Sequence, residues 1–256
     1  IAWGGLRDFG NVIRLRVLTM EENPRALELT GADLHKAVHA YGTNGIITEV
    51  EMPTAARYDW VDVIMGFDRF EEAAAFGAAL GAQDGIAKKL VTAVAAPAPH
   101  AYFLRHRALI PENQSVVLAM IAPQSLDAFY AFAKPWKGSV LLDASRASAE
   151  TLKGLPPNYE CSWNHTTLRA LRVDPSITYL QVRYGDGLPL ERAQAIHDKY
   201  RDEIIAHYEF IRFNGRVEFA GLPLVRFTTE ARLNEIMRGH EEMGAMIFNP
   251  HRYTLE

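Results

Sequence analysis

Three short stretches of this chain bring together side chains able to do acid–base or anion chemistry. Trp163-Asn164-His165-Thr166-Thr167 sets an aromatic face, an amide, an imidazole and two hydroxyls in consecutive positions. Imidazole exchanges protons near neutral pH, and an amide can orient a substrate oxygen. The same stretch also reads as a helix entry, with Asn164 or Thr166 as its cap. Asn249-Pro250-His251-Arg252-Tyr253 offers a base, a fixed cation and a phenol on backbone stiffened by Pro250. Its plainer alternative is an exposed tail with scattered polar residues. Pro223-Leu224-Val225-Arg226-Phe227 holds Arg226 inside an apolar run, where a cation needs an anionic partner from the protein or from a substrate. His35 and His39 stand four apart on a predicted helix, as a metal pair would. No carboxylate or third histidine follows at a telling distance, so they read as a surface pair and no metal is expected.

Several chemistries leave no trace. The chain has no G-x-x-x-x-G-K-[ST], no G-x-G-x-x-G opening a helix, no G-x-S-x-G and no H-E-x-x-H. Gly42-Thr43-Asn44-Gly45 precedes a strand, not a helix, and taken alone is a tight turn. The 256 residues are 48% hydrophobic and 23% charged, which argues for a folded chain with a substantial core. Lys plus Arg at 27 against Asp plus Glu at 31 gives a net charge of −4, with no hint of a nucleic-acid partner. No apolar stretch approaches the roughly 20 residues of a membrane span. Cys161 is the lone cysteine, so neither an internal disulfide nor a thiolate zinc site is possible. A cytoplasmic, soluble protein is the expectation. Both ends, at Ile1 and Glu256, read as cuts through a longer polypeptide.

The elements that must position these groups follow from periodicity. Val12–Thr19 alternates apolar and charged residues as a half-buried strand, and Arg25–Leu29 is a second short one. A short helix over Leu34–Ala40 with Asp33 as cap, then a strand over Ile46–Met52 ended by Pro53, complete a first α/β segment. From Trp60 the rhythm changes. Strands are predicted over Val61–Phe67, Lys88–Ala96, Ser115–Ala122 and Ser139–Asp143. Between them come an Ala-rich helix over Arg69–Gly81 with Asp68 as cap and shorter helices over His100–Ala108 and Ser125–Ala133. The later part repeats the theme loosely: a strand over Ile177–Tyr184, a helix over Pro189–Ile204 and a hairpin about Asn214-Gly215. A helix over Ala231–Glu242 follows, with Thr228-Thr229-Glu230 before it and Gly244 after it. Two ferredoxin-like units side by side, with sheets joined or adjacent, fit this order. The irregular connection from Ala144 to Asp174 is long enough to carry a site.

With these residues in view, a family resemblance emerges. Tyr41-Gly42-Thr43-Asn44-Gly45-Ile46-Ile47-Thr48-Glu49-Val50, followed by Pro53, resembles the segment that closes the FAD-binding domain of FAD-linked oxidases. These form the vanillyl-alcohol oxidase and p-cresol methylhydroxylase superfamily, and the match is to its glycolate oxidase-like members. Gly4–Val12 resembles the loop before the preceding strand, and Asp59–Glu256 is similar to the family's C-terminal substrate domain. The resemblance implies an α+β chain in which residues 1–55 end an FAD-binding domain. Residues 56–256 would form a ferredoxin-like cap with an antiparallel sheet and helices on one side.

The resemblance implies FAD as cofactor, with Gly42, Thr43, Gly45, Ile46, Ile47 and Thr48 along it. It implies hydride removal from a C–H beside a hydroxyl, as in a 2-hydroxy acid or alcohol. His251 would be the base, with Tyr253 and His165 as alternatives. Trp163, Asn164, Arg226 and Arg252 would hold the small-molecule substrate. Partners would be that substrate and an upstream FAD-binding segment. The departures matter too. The family's pyrophosphate loop would lie upstream of Ile1, and its G-H-x-G-D-G-N-x-H hairpin is replaced by Phe210–Phe219, FIRFNGRVEF, which has no histidine. Of the family's G-E-H-G motif, only His251 is kept in Asn249-Pro250-His251-Arg252. The rival expectation is a cap module that binds a small molecule or partner but cannot hold FAD alone.

Overall fold

A computed structural model describes residues 10–185, 189–201, 203–213 and 216–248. It divides into two units, one of residues 2–58 with 211–218 and one of residues 59–210 with 219–256.

In the smaller unit, alternation builds a three-stranded antiparallel sheet from β1 (Arg14–Leu18), β2 (Ala26–Thr30) and β3 (Ile46–Glu51), with β1 central. One face is polar: Arg14 pairs with Glu28 at 3.0 Å and Glu51 at 2.9 Å, and Arg16 pairs with Glu49. The other face buries Leu15 and Val17 under Leu34 and Val38. The predicted helix over Leu34–Ala40 is a 3-10 turn over Gly31–Lys36, and Asp33 binds Lys36 instead of capping it. A turn so short leaves the β3 side of the apolar face bare. Strand register puts Ile13, Ile47, Val50 and Met52 on that face, and all four are exposed.

The larger unit opens with β4 (Val61–Phe67), α1 (Phe70–Gly81), β5 (Lys88–Val94), α2 (Ala98–Tyr102), β6 (Ser115–Ile121), α3 (Leu126–Ala133) and β7 (Ser139–Asp143). Next come α4 (Ala149–Leu152), α5 (Asn164–Val173), β8 (Ile177–Tyr179), β9 (Gln181–Arg183), α6 (Pro189–Lys199), β10 (Ile204–Ile205) and β11 (His207–Phe213). The last elements are β12 (Arg216–Gly221), β13 (Leu224–Arg226), α7 (Glu230–Glu242) and β14 (Met246–Phe248).

Eight of these strands form one sheet in the order β14-β9-β12-β11-β5-β6-β4-β7. Numbered within themselves, β4 to β7 and then β9, β11, β12 and β14 each run in the ferredoxin-like order 4-1-3-2. The two halves join where β5 meets β11, through His207↔Val94, Tyr208↔Ala93 and Glu209↔Thr92. The expected antiparallel α+β fold is therefore present as two fused ferredoxin-like sheets.

Side-chain alternation sorts the sheet's faces. Tyr208 meets Phe70 of α1 at 5.1 Å, and a Cβ on Gly77 would overlap the Phe210 ring, so these strand residues face α1. Phe76 of α1 sits among Phe67, Phe129, Phe132 and Trp136, at ring distances of 5.2–6.3 Å. Residues one step along the strands face the other way. The row Glu209–Thr92–Leu118–Ile64–Leu142 crosses five strands on this second face. The row continues in the other direction. Leu222 N–H donates to His207 O, which places Ala220 opposite Glu209, and Ala220 pairs with Arg183 and Arg183 with Met246. The connection from Ala144 to Asp174, whose last part is α5, covers one stretch of this face.

Three details depart from expectation for local reasons. The run Ile177–Tyr184 splits at Leu180: β8 joins a small sheet β10-β13-β8, whereas β9 joins the large one. The predicted helix over Pro189–Ile204 stops at Lys199, because Ile204 and Ile205 are drawn into pairing with Val225 and Leu224. Arg69, not Asp68, precedes α1, and Asp68 accepts from the Gln114 amide at 3.2 Å instead. By contrast, Thr229 Oγ1 caps α7 through Arg232 N–H as expected, and Gly244 takes a left-handed φ of +82° just beyond its end.

Candidate functional site

Within the smaller unit, Gly42-Thr43-Asn44-Gly45 is a turn held by its own side chains. Thr43 Oγ1 donates to Ala40 O at 2.7 Å, and Asn44 Nδ2 donates to Lys36 O at 2.6 Å. Gly45 has φ +130°, and a Cβ there would stand 2.7 Å from Leu18 O and from Val17 Cγ1. The absence of a side chain at Gly45 is thus demanded by strand β1 itself, whatever else lies nearby. Thr48 Oγ1 donates to Arg16 O at 3.2 Å, beside the bulge where the β1–β3 register shifts. Every residue of β3 is exposed, Ile46 and Ile47 included.

The Trp163–Thr167 stretch opens α5, and the structure separates its members. Thr166 and Thr167 are buried, whereas Asn164 and His165 are exposed. His165 Nδ1 lies 3.1 Å from Glu160 Oε2 on the surface. Neither Asn164 nor Thr166 caps the helix by a side-chain bond. Trp163 precedes it at φ +53° and ψ −141°, a region that bulky residues rarely enter. Its N–H donates to Glu209 Oε1 at 2.5 Å. The acceptor at this helix start is therefore a carboxyl group from the protein's own sheet.

Glu209 is the centre of a buried polar cluster that sequence reasoning did not find. Thr92 Oγ1 donates to Glu209 Oε2 at 2.6 Å, and His207 Nε2 lies 2.7 Å from Glu209 Oε1. The His207 and Glu209 side chains are 0% and 1% exposed, so no solvent screens them. His207 Nδ1 stands 3.2 Å from Leu222 O, which can only accept, so Nδ1 carries hydrogen. One further proton must lie between Nε2 and Oε1, and the pair is neutral overall wherever that proton sits. Thr166 Oγ1 donates to Cys161 O at 2.8 Å and lies 3.5 Å from His207 Nε2.

Close by, the Asn158 amide donates to Val63 O and Ala119 O at 3.0 and 2.9 Å, pinning the irregular connection to strands β4 and β6. Asn158 N–H donates to Asp62 Oδ1 at 3.2 Å, and burial lifts the Asp62 carboxyl to about 6. Burial pushes the His106 imidazole down to about 4, helped by the positive Arg169. Burial also lifts the Cys161 thiol to about 12, which leaves it unreactive. The only signal in the sequence was the alternation His207-Tyr208-Glu209-Phe210, which ordinarily marks a strand with one wet face.

Arg226 does not sit in the core. Leu224 and Val225 are buried, but Arg226 ends its strand exposed, 4.0 Å from Asp174, which is the anionic partner its position called for. His35 and His39 do not share an α-helix, since the turn ends at Lys36 and His39 has φ +55°. Among the described residues no three His, Cys, Asp or Glu side chains are grouped to hold a metal ion. His251, Arg252 and Tyr253 lie outside the described residues. No helix among those described is long and apolar enough to cross a membrane.

No protein-family model matches this sequence. No curated protein matches it either. Solved structures do. Alkyldihydroxyacetonephosphate synthase in a P1 crystal form aligns over 92% of this chain at 14% identity and a TM-score of 0.56. The P212121 form of that enzyme gives a TM-score of 0.55 at the same identity and coverage. The aligned part is 49% of the synthase chain, so this chain spans about half the length of those neighbours. At such identity the likeness speaks to fold alone. The chain has a mixed α/β fold with antiparallel sheets, similar to that of the aligned half of the synthase.

Proposed function

We propose that this chain is part of an FAD-dependent oxidoreductase that oxidises a C–H beside a hydroxyl, in a 2-hydroxy acid or an alcohol. The observation that carries the reading is the paired ferredoxin-like sheet, preceded by a small unit whose β3 lies exposed along its whole length. FAD, when bound, would supply the hydride-accepting chemistry. Ile47 and Val50 offer an apolar wall to a flat ring, Ile46 is exposed on the opposite face of the strand, and β3 is an edge strand of its sheet among the described residues. Ile47 and Val50 fit a ring-facing role. Gly42, Thr43, Gly45 and Thr48 hold the turn and strand that present this wall. No described segment has the shape of a pyrophosphate loop, and in this reading that contact comes from elsewhere.

The chain's own residues then bind and orient the substrate. Trp163 and Asn164 stand at the start of α5 above the second face of the sheet, and Arg183 lies farther along that face. Arg226 and Arg252 are the further cations that could steady a carboxylate. His251, with Tyr253 or His165 as substitutes, takes the hydroxyl proton. The test is direct. The chain, purified together with the segment that supplies the pyrophosphate contact, mixed with FAD and passed through a desalting column, should keep a visible flavin spectrum that bleaches on adding glycolate, lactate or a simple alcohol. A colourless preparation of that joined protein, with unchanged intrinsic fluorescence on FAD addition, overturns the reading. It leaves in its place a cap module that binds a small molecule or partner without flavin.

A further inference from the structure

The buried His207–Glu209 pair lies deep in the sheet and has no part in the proposed redox step. Its hydrogen bonding is unusually constrained. At one end stands Leu222 C=O, which only accepts, and at the other stands Trp163 N–H, which only donates. Between these ends, imidazole and carboxyl together hold one extra proton, and that proton satisfies every group in the chain. A Gln at 209 cannot do the same with a neutral imidazole. If its oxygen serves Trp163 N–H and a hydrogen on Nε2, then Nδ1 faces Leu222 C=O with a lone pair. If its amide instead turns to donate to Nε2, then Trp163 N–H loses its acceptor. The acid is therefore required, not merely tolerated.

What the acid holds is a strained residue. Trp163 is a bulky side chain on left-handed backbone, half-buried at the start of α5. A hydrocarbon pair would pack this part of the core without a buried charge to satisfy. Ala220 lies beside Glu209 in the same row, and Arg183 lies beyond it. Ala220 and Arg183 are both half-buried in that row.

We propose that Glu209, braced by His207, is a positioning residue of the substrate site: through the main-chain N–H of Trp163 it fixes the backbone that carries this substrate-binding side chain. This rests on the flavin-oxidase reading above and deepens it by naming what sets the site's shape. The test compares Glu209→Gln and Trp163→Phe with the unmutated, flavin-loaded protein, using glycolate, lactate and a simple alcohol as probes. Trp163→Phe keeps every main-chain bond and should raise KM about tenfold while kcat stays within about threefold. Glu209→Gln should give the same KM rise and, in addition, exchange of the Trp163 amide hydrogen about tenfold faster or more.

Faster amide exchange with kcat/KM unchanged would make Glu209 purely structural and overturn the proposal. If Glu209→Gln fails to fold, Trp163→Phe still decides: unchanged KM with every probe also overturns it. An unmutated joined protein that takes up no flavin is a different failure, recognised before any variant is made, and it removes the oxidase reading together with the proposal.

Discussion

The two ferredoxin-like halves of the large sheet share one strand order and differ in what they leave uncovered. In the first half, β4, β5 and β6 run seven residues each, and β6 is buried at every position. In the second half, β9 and β14 have three residues each, and Met246 and Phe248 are exposed on the same face as Gln181 and Arg183. The difference teaches where chemistry can sit on a duplicated scaffold. A sheet buried on both faces can only hold shape, whereas a short-stranded sheet open on one face can meet a ligand. The polar cluster at Glu209 lies on the seam between the two.

If the first half is scaffold, truncation there should cost most. Phe76→Ala removes a ring shared by four aromatic neighbours and should destabilise the protein by about 3–5 kcal/mol in urea unfolding. A cost below about 1 kcal/mol would erase the contrast between the halves. Next in size is a pH effect. His106 is buried and neutral in the fold, with its pKa pushed down to about 4 from a usual 6.5. The unfolded chain therefore takes up the proton first as pH falls. Stability is fully present above pH 6.5 and should drop by about 2–3 kcal/mol as pH falls toward 4. His106→Gln should flatten that slope in thermal melts across this range, and an unchanged slope would assign it to other groups.

The join between halves should answer to size. Gly77→Ala puts a methyl group into the Phe210 ring across the seam and should cost about 1–3 kcal/mol. A neutral result would mean that α1 can shift off the second half freely. The smallest effect belongs to the open face, where Met246→Ser should change stability by no more than about 0.5 kcal/mol. A larger loss would show that the second half is as closed as the first.

Much of the scaffold was legible because its signals are local. The apolar runs at Val61–Phe67 and Ser115–Ile121 are too short for a buried helix and became central strands. Ala-rich Phe70–Gly81 became the main crossover helix. Helix α5 was harder: Asn164–Val173 mixes β-branched and polar residues, and its start is fixed by Glu209 from a distant strand. Alternation could say that Ile177–Tyr184 is extended, but not that Leu180 hands the chain from one sheet to another. The least legible feature was the burial of His207 and Glu209, because the cover over a strand's polar face comes from residues far away in sequence. Arg226 shows the reverse error of scale. An apolar run surrounds it, yet the strand ends there and the side chain emerges into water.

The seam between β5 and β11 also bears on how the chain reaches this structure. Thr92 and Glu209, bonded side chain to side chain across it, are 117 residues apart in sequence. Each half can pair its own strands through much shorter loops, whereas the seam must close most of the unit's length at once. The halves should therefore assemble early and dock late. In kinetic terms, substitutions at Thr92 or Glu209 should speed unfolding and leave the folding rate nearly untouched, whereas Phe76, inside a locally closed half, should slow folding.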